Sequence, residues 1–240
     1  MKTVLIHGQN HVGSSCQIGR LLAEQLSKPE EITEFFLPRD LNHFCTGCGR
    51  CLDGDERCPF CQEKQKIMDA IEAGDVLIFT TPTYCMRASA PMKAFIDLTF
   101  TAWMVHRPRA SMFRKKAVVI STAAGAGTGS AIKDVKNALT YWGVPEIHSL
   151  GFAVQAMGWD LVRKEKKQQI QHKVDVLARK LNREKPVKVG IKTRFLFTVM
   201  GKMQAAGMGA SPFEKEYWQA MGWLGKARPW RNSGCTTGKT

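Results

Sequence analysis

The chain has 240 residues, 44% of them hydrophobic, and a formal net charge of +14. That is enough apolar material for one full core with an appendage, and too much for a disordered chain. No apolar run approaches the ~20 residues of a bilayer span, and strand-like residues begin at Thr3 without the charged and apolar regions of a signal peptide, so a soluble cytoplasmic protein is expected.

Val4, Leu5 and Ile6 predict a first strand, and Ile18, Leu21, Leu22 and Leu26 recur at helical spacing after it. Between them lies a polar loop, Gly8 to Ser15, that empties into the helix N-terminus. Free backbone N–H groups and the positive end of the helix dipole make such a place suitable for a phosphate. Ile32 to Leu37 reads as a second strand. Leu41 to Cys61 is a loop rich in Cys, Gly and Asp, and a helix is expected over Gln62 to Ala73. Val76 to Phe79 is a near-continuous apolar strand of the kind buried in a parallel sheet. The loop TTPTYCMRASAP and a helix from about Met92 to Met104 follow, with Lys93 and Asp97 placed for an i,i+4 ion pair.

A fourth strand is expected over Ala117 to Ile120, then the small-residue loop STAAGAGTGS, a helix over Ala131 to Trp142 and a fifth strand over Ile147 to Val154. Strands alternating with helices at this spacing predict an α/β fold with a doubly wound, five-stranded parallel sheet. Right-handed crossovers would bring the loops after the first, third and fourth strands to one carboxyl edge, where open α/β sheets bind ligands. These three loops are the unusual ones.

Residues 1–157 therefore read as the ligand-binding domain, with the Cys-rich loop 41–61 inside it, and residues 158–240 as a basic helical extension. A charged helix is expected over Asp160 to Arg183 and another over Phe195 to Ala206, followed by the aromatic residues Tyr217, Trp218, Trp223 and Trp230. This tail would dock on the core or on a second subunit. Residues 1–160 carry 17 Lys and Arg against 16 Asp and Glu, and residues 161–240 carry 18 against 5, so the charge belongs to the tail. A solvated helix surface explains it; peripheral contact with an acidic partner or anionic membrane is the alternative, and nucleic acid is not expected because no binding motif accompanies the charge.

GQNHVGSS has G-x-x-x-x-G spacing but no following Lys, which disfavours nucleoside triphosphates, and no G-x-G-x-x-G dinucleotide fingerprint. It suits a terminal phosphate held mostly by neutral donors, as in FMN, or else it is an ordinary polar turn. In the second loop Pro82 and Pro91 stiffen the chain and Tyr84 offers a planar surface. In the third, Gly125, Gly127 and Gly129 let a ligand ring lie close to the backbone.

Taken together, the Gly8–Ser15 loop, CTGCGRC with Cys58, GDVLIFTTPTY, SAPMKAFIDLTF, STAAGAGTGS and the terminal EKEYWQAMGWL resemble the NAD(P)H-dependent FMN reductase group of flavodoxin-fold oxidoreductases, which includes iron–sulfur flavoproteins. The resemblance implies a flavodoxin-like sheet and electron transfer from NADH or NADPH through FMN to a quinone or other small acceptor. It also implies a homodimer or higher oligomer. For the FMN phosphate it implies Gln9, His11, Gly13, Ser14 and Ser15, with Cys16 in the same loop. At the flavin ring it implies Pro82, Thr83, Tyr84, Cys85 and Met86, with Ser121, Thr122, Ala123 and Gly125 beside them. Two departures stand out. Gln9-Asn10-His11 replaces the group's usual Ser-Pro-Arg, and Leu98 replaces the usual Arg after the helix Asp. No obligatory acid–base residue is evident, because the flavin carries the redox chemistry. A flavin or iron–sulfur electron carrier without nicotinamide activity is the rival reading.

Eight cysteines are present, five of them within 45–61. Cys45, Cys48, Cys51 and Cys58 have the compact spacing C-x2-C-x2-C-x6-C that iron–sulfur flavoproteins use for a [4Fe–4S] cluster, and thiolates suit it as soft anionic ligands. Zinc held by Cys48, Cys51, Cys58 and Cys61 is open as well, and so is a loop of reduced thiols without metal. Cys235 reads as a spare tail thiol.

Overall fold

The computed structural model describes residues 1–183 and 186–231, so Cys235 lies outside it. Five parallel strands form the sheet: β1 (Thr3–His7), β2 (Ile32–Phe36), β3 (Val76–Tyr84), β5 (Lys116–Ala123) and β6 (Glu146–Ala153). Their spatial order is β2-β1-β3-β5-β6, the flavodoxin-like winding. The two-residue β4 (Arg87–Ala88) folds back antiparallel on the end of β3.

The central strands β1, β3 and β5 are buried almost throughout because both faces are covered, while the edge strands β2 and β6 are partly exposed and carry polar residues. On one face Val4, Ile6, Leu77, Phe79, Ala117 and Val119 pack with α2 (Cys61–Ala73), α3 (Ala90–Leu98) and α4 (Thr128–Trp142). On the other, Leu5, Val76, Ile78, Val118 and Ile120 meet α1 (Ser14–Ala23) and α5 (Lys164–Leu181). Alternate residues of each strand thus serve opposite cores.

Several element ends differ from the expected ones. β3 and β5 continue beyond Phe79 and Ile120, pairing as far as Pro82 with Thr122. Polar residues are tolerated there because their hydroxyls have partners: Thr80 Oγ1 meets His7 Nδ1 at 2.8 Å and Ser89 N donates to Thr81 Oγ1 at 3.0 Å. α4 starts at Thr128, three residues earlier than expected. α3 stops at Leu98, where the helical run to Met104 was expected, and a 3-10 turn at Phe100–Ala102 follows. The expected Lys93–Asp97 pair is formed at 2.5 Å.

The first helix after residue 157 packs on the sheet. Ile170, Val174, Leu177, Ala178 and Leu181 of α5 complete the same buried face as Leu5, Ile18 and Leu22. What stands apart is the later segment, α6 (Ile191–Ala205) and α7 (Pro212–Ala220), the second of which was read only as an aromatic stretch. Trp218, Trp223 and Phe197 form a third core with Met104 and Phe113. Trp218 Nε1 donates to His106 O at 2.6 Å, Tyr217 OH to Pro108 O at 2.7 Å and Gln204 Nε2 to Val105 O at 2.7 Å. The tail therefore docks on this chain's own 100–114 segment. No helix among the described residues is long and apolar enough to cross a membrane.

Replacing the fully buried Trp218 by Ala removes the centre of that third core and one hydrogen bond. Trp218→Ala is expected to lower stability by about 3–5 kcal/mol, read by urea unfolding.

Candidate functional site

At the carboxyl edge, β1 ends at His7 and Gly8 N still bonds Thr80 O at 2.7 Å. The chain then leaves the sheet between β1 and β3, where the strand order reverses, which is where open α/β sheets receive ligands. Gln9 is buried and stitches the loop together: its Nε2 donates to His11 O at 3.1 Å and its Oε1 accepts from Ser15 Oγ at 3.2 Å. Gly13 precedes α1 with no side chain capping the helix, so the first-turn N–H groups remain for an anion. His11 lies over this turn, since a Cβ on Gly13 would come within 3.1 Å of its Nε2. Cys16 is the exception among the residues expected here. Its thiol faces inward, 3.8 Å from His7 Nε2, and burial pushes its pKa up to about 11, so only its backbone can serve a ligand.

The loop after β3 is joined to this one by Ser89, whose hydroxyl donates to Gly8 O at 2.5 Å. Ser89 was not singled out from the sequence, although a Ser before Ala-Pro at a helix start is a recognisable N-cap signal. It occupies that position, but its hydroxyl binds the neighbouring loop instead of capping α3. Cys85 and Met86 adopt positive φ of 48° and 64°, unusual for residues with a Cβ. The tight reversal into β4 leaves Tyr84 52% and Met86 55% exposed. Arg87 Nε holds the reversal to α4 through Asp134 at 3.0 Å.

The third loop completes the edge. Thr83 Oγ1 and Ser121 Oγ are 2.9 Å apart, tying β3 to β5. Pro82, Ser121, Thr122 and Ala123 are buried, while Ala124, Gly125 and Ala126 are exposed, with open space where a Gly125 Cβ would point. Gly127 has φ of +95°, and a Cβ there would meet Thr83 Cγ2 at 2.8 Å and Met86 Sδ at 2.9 Å. This glycine lets the second and third loops touch.

The residues present fit FMN. An uncapped helix start suits its phosphate, and an exposed apolar and aromatic platform beside small residues suits a flat ring. The family model described as NADPH-dependent FMN reductase matches residues 1–157. The chain belongs to this family. It is a flavodoxin-like flavoprotein oxidoreductase that uses FMN and a reduced nicotinamide. Among its relatives, an iron-sulfur flavoprotein of Archaeoglobus fulgidus is 29% identical over 158 residues, 64% of this chain and 70% of that one. The fold is similar to that of an FMN-dependent NADH-azoreductase from Bacillus anthracis in complex with FMN. That likeness has a TM-score of 0.55 at 12% identity and covers 74% of this chain and 100% of the other. An NAD(P)H:quinone oxidoreductase from Methanothermobacter marburgensis aligns with a TM-score of 0.54 at 16% identity, over 76% and 97% of the two chains.

The cysteine loop forms a second centre. Cys45, Cys48, Cys51 and Cys58 all line one cavity of about 210 Å³, whose remaining wall includes Phe60, Leu98 and Phe100. Cys61 is absent from that wall and begins α2 instead. Among the described residues no three Cys, His, Asp or Glu side chains are assembled to hold a single metal ion. Four thiols on one cavity wall are the soft, anionic type of donor that an iron–sulfur cluster takes. A hydrogen bond from the Arg50 N–H lowers the Cys48 pKa, and burial raises that of Cys51.

A buried cation stands beside this centre. Lys64 is 2% exposed, its Nζ has no hydrogen-bond partner, and the nearest carboxylate oxygen is Asp55 Oδ1 at 3.6 Å. The Asp55 carboxylate is the anion that offsets the burial of this ammonium. Burial raises the Asp55 pKa, but Thr101 and the charges of Lys64, Arg107 and Arg109 outweigh it and leave the carboxyl below its ordinary value.

Behind the phosphate loop, a hydrogen bond from His7 and the paired Arg20 hold the Glu34 pKa at about 2, against the effect of burial. A carboxylate depressed on folding contributes stability above its unfolded pKa of about 4.3, and that contribution is lost as pH falls toward 2. Glu34→Gln is expected to flatten the acid limb of the stability–pH curve over that window and to lower stability at neutral pH, measured by denaturant midpoints. Gly127→Ala is expected to cost about 1–2 kcal/mol from its left-handed backbone alone and to weaken FMN binding about tenfold, measured by fluorescence quenching. Gly129→Ala, in open space, should stay near the parent.

Proposed function

We propose that this protein oxidises NADH or NADPH and passes the electrons through FMN to a quinone or similar small acceptor, with an iron–sulfur cluster as a second redox centre. The observation that carries the reading is the three ligand-type loops at the carboxyl edge around the β1/β3 reversal, together with a loop whose four cysteines line one cavity. The name of the Archaeoglobus relative supports the cluster.

In this reading the free N–H groups at the start of α1, with Ser14, Ser15 and His11, hold the phosphate. Gln9 keeps that loop in shape from below through its bonds to His11 and Ser15. Tyr84 and Met86 form one wall for the ring, and the exposed backbone after Ala123 forms the other. FMN, when bound, accepts a hydride and can release its electrons one at a time. Cys45, Cys48, Cys51 and Cys58 would hold the cluster, which supplies one-electron chemistry. Lys64, Arg107 and Arg109, paired with Asp55, Glu72 and Glu214, brace the loop from behind. The open platform leaves room for nicotinamide and acceptor to use one face in turn.

Protein purified without oxygen and supplied with FMN is expected to show flavin absorbance with a broad brown shoulder, and to oxidise NADH or NADPH with menadione as acceptor. A Cys48→Ser, Cys58→Ser double variant should lose iron and the shoulder while keeping flavin. Turnover with neither nucleotide would refute the reductase reading, and iron-free protein from anaerobic preparation would refute the cluster.

A further inference from the structure

α6 carries apolar residues on its inner side along its length and on its outer side near its start. Its inner side places Phe197 in the third core, with Leu196 and Met200 packed against it and Thr193 and Gln204 buried. Its outer side carries Ile191, 87% exposed, and Phe195 one turn later, 66% exposed. The same stripe runs on through Thr198 and Lys202, both exposed, to Ala205 and Ala206. Large apolar side chains exposed together on one side of a helix suit another apolar phase, and the core of α6 lies on its other side.

The charge around this stripe has a single sign. Residues 185–213 contain no Asp or Glu. Lys188, Lys192, Arg194 and Lys202 are all exposed, on α6 or just before it, and Arg194 lies over the Trp230 ring at 6.0 Å. With 15 residues, α6 is about 22 Å long, too short to cross a ~30 Å hydrocarbon core, and it carries three basic residues. Its geometry is that of a helix lying in the plane of a membrane surface. There Ile191 and Phe195 would enter the acyl boundary while basic side chains reach phosphate groups.

We propose that the outer side of α6 docks this enzyme on an anionic phospholipid surface. A second copy of the chain is the weaker occupant. A two-fold contact across this stripe would bring Lys192, Arg194 and Lys202 of both copies into one interface with no acid between them. A head-to-tail contact finds no excess of acid in residues 1–160, where the two signs nearly balance. A nucleic acid would meet the charge but leave Ile191 without a partner. The docking stands independently of the redox reading, because it uses no residue of the flavin or cysteine loops.

The test is flotation of the full chain, loaded with FMN, on phosphatidylcholine vesicles with and without phosphatidylglycerol. The protein should float only with the anionic vesicles and be released by high salt. An Ile191→Ser, Phe195→Ser double variant should bind them at least about tenfold more weakly, with its unfolding midpoint and flavin content unchanged. Three outcomes would overturn the proposal: wild type that stays at the bottom with anionic vesicles, equal recovery on both vesicle types, or equal flotation of the double variant. So would a dimer in light scattering that the double substitution dissolves while wild type binds no vesicles.

Discussion

The cofactor edge depends on one hydrogen-bonded seam between two loops from neighbouring strands. Ser89 Oγ donates to Gly8 O, Ser89 N donates to Thr81 Oγ1, and Gly8 N continues the sheet to Thr80 O. Ser89 is fully buried, so these bonds form out of contact with water and have no competing partner. They set how far the loop after β1 stands from the loop after β3. The contacts of Gly127 with Thr83 and Met86 do the same for the third loop. The site is thus held by packed backbone and small hydroxyls, and its larger side chains are left free to meet a ligand.

The cysteine loop is held by electrostatics instead. Arg107, itself buried, donates to the carbonyls of Cys51 and Leu52 and to Asp55, while Ser211 of the tail bonds Leu52 O at 2.9 Å. Glu214, buried at the start of α7, accepts from Ala210 N and pairs with His106 at 2.7 Å. Buried charges persist only when paired, and here the pairs join three parts of the chain: the loop, the 100–114 segment and the tail. The tail therefore has a structural part in shaping the thiol cavity as well as presenting α6 to the outside.

The α/β alternation, the three ligand loops and the compact cysteine spacing were all legible, because each depends on local pattern: apolar runs of strand length, glycine and proline at turns, thiols at fixed intervals. Ser89, Arg107 and Lys64 were not legible as parts of a site. Each looks like an ordinary helix or loop residue until distant segments fold onto it. The place of Cys16 in the loop likewise does not reveal that the first turn of α1 directs its thiol inward.

The sequence by itself determined the sheet, its winding and the loops that meet at its edge, since apolar periodicity and right-handed crossovers admit few alternatives. Only the tertiary structure decided that α5 belongs to the main core, that the aromatic tail covers the 100–114 segment, and that four of the five clustered cysteines face one cavity. It also decided which side of α6 stays uncovered. Those facts rest on contacts between residues far apart in the chain, and a helix with apolar residues on more than one side does not say which of them will find a core.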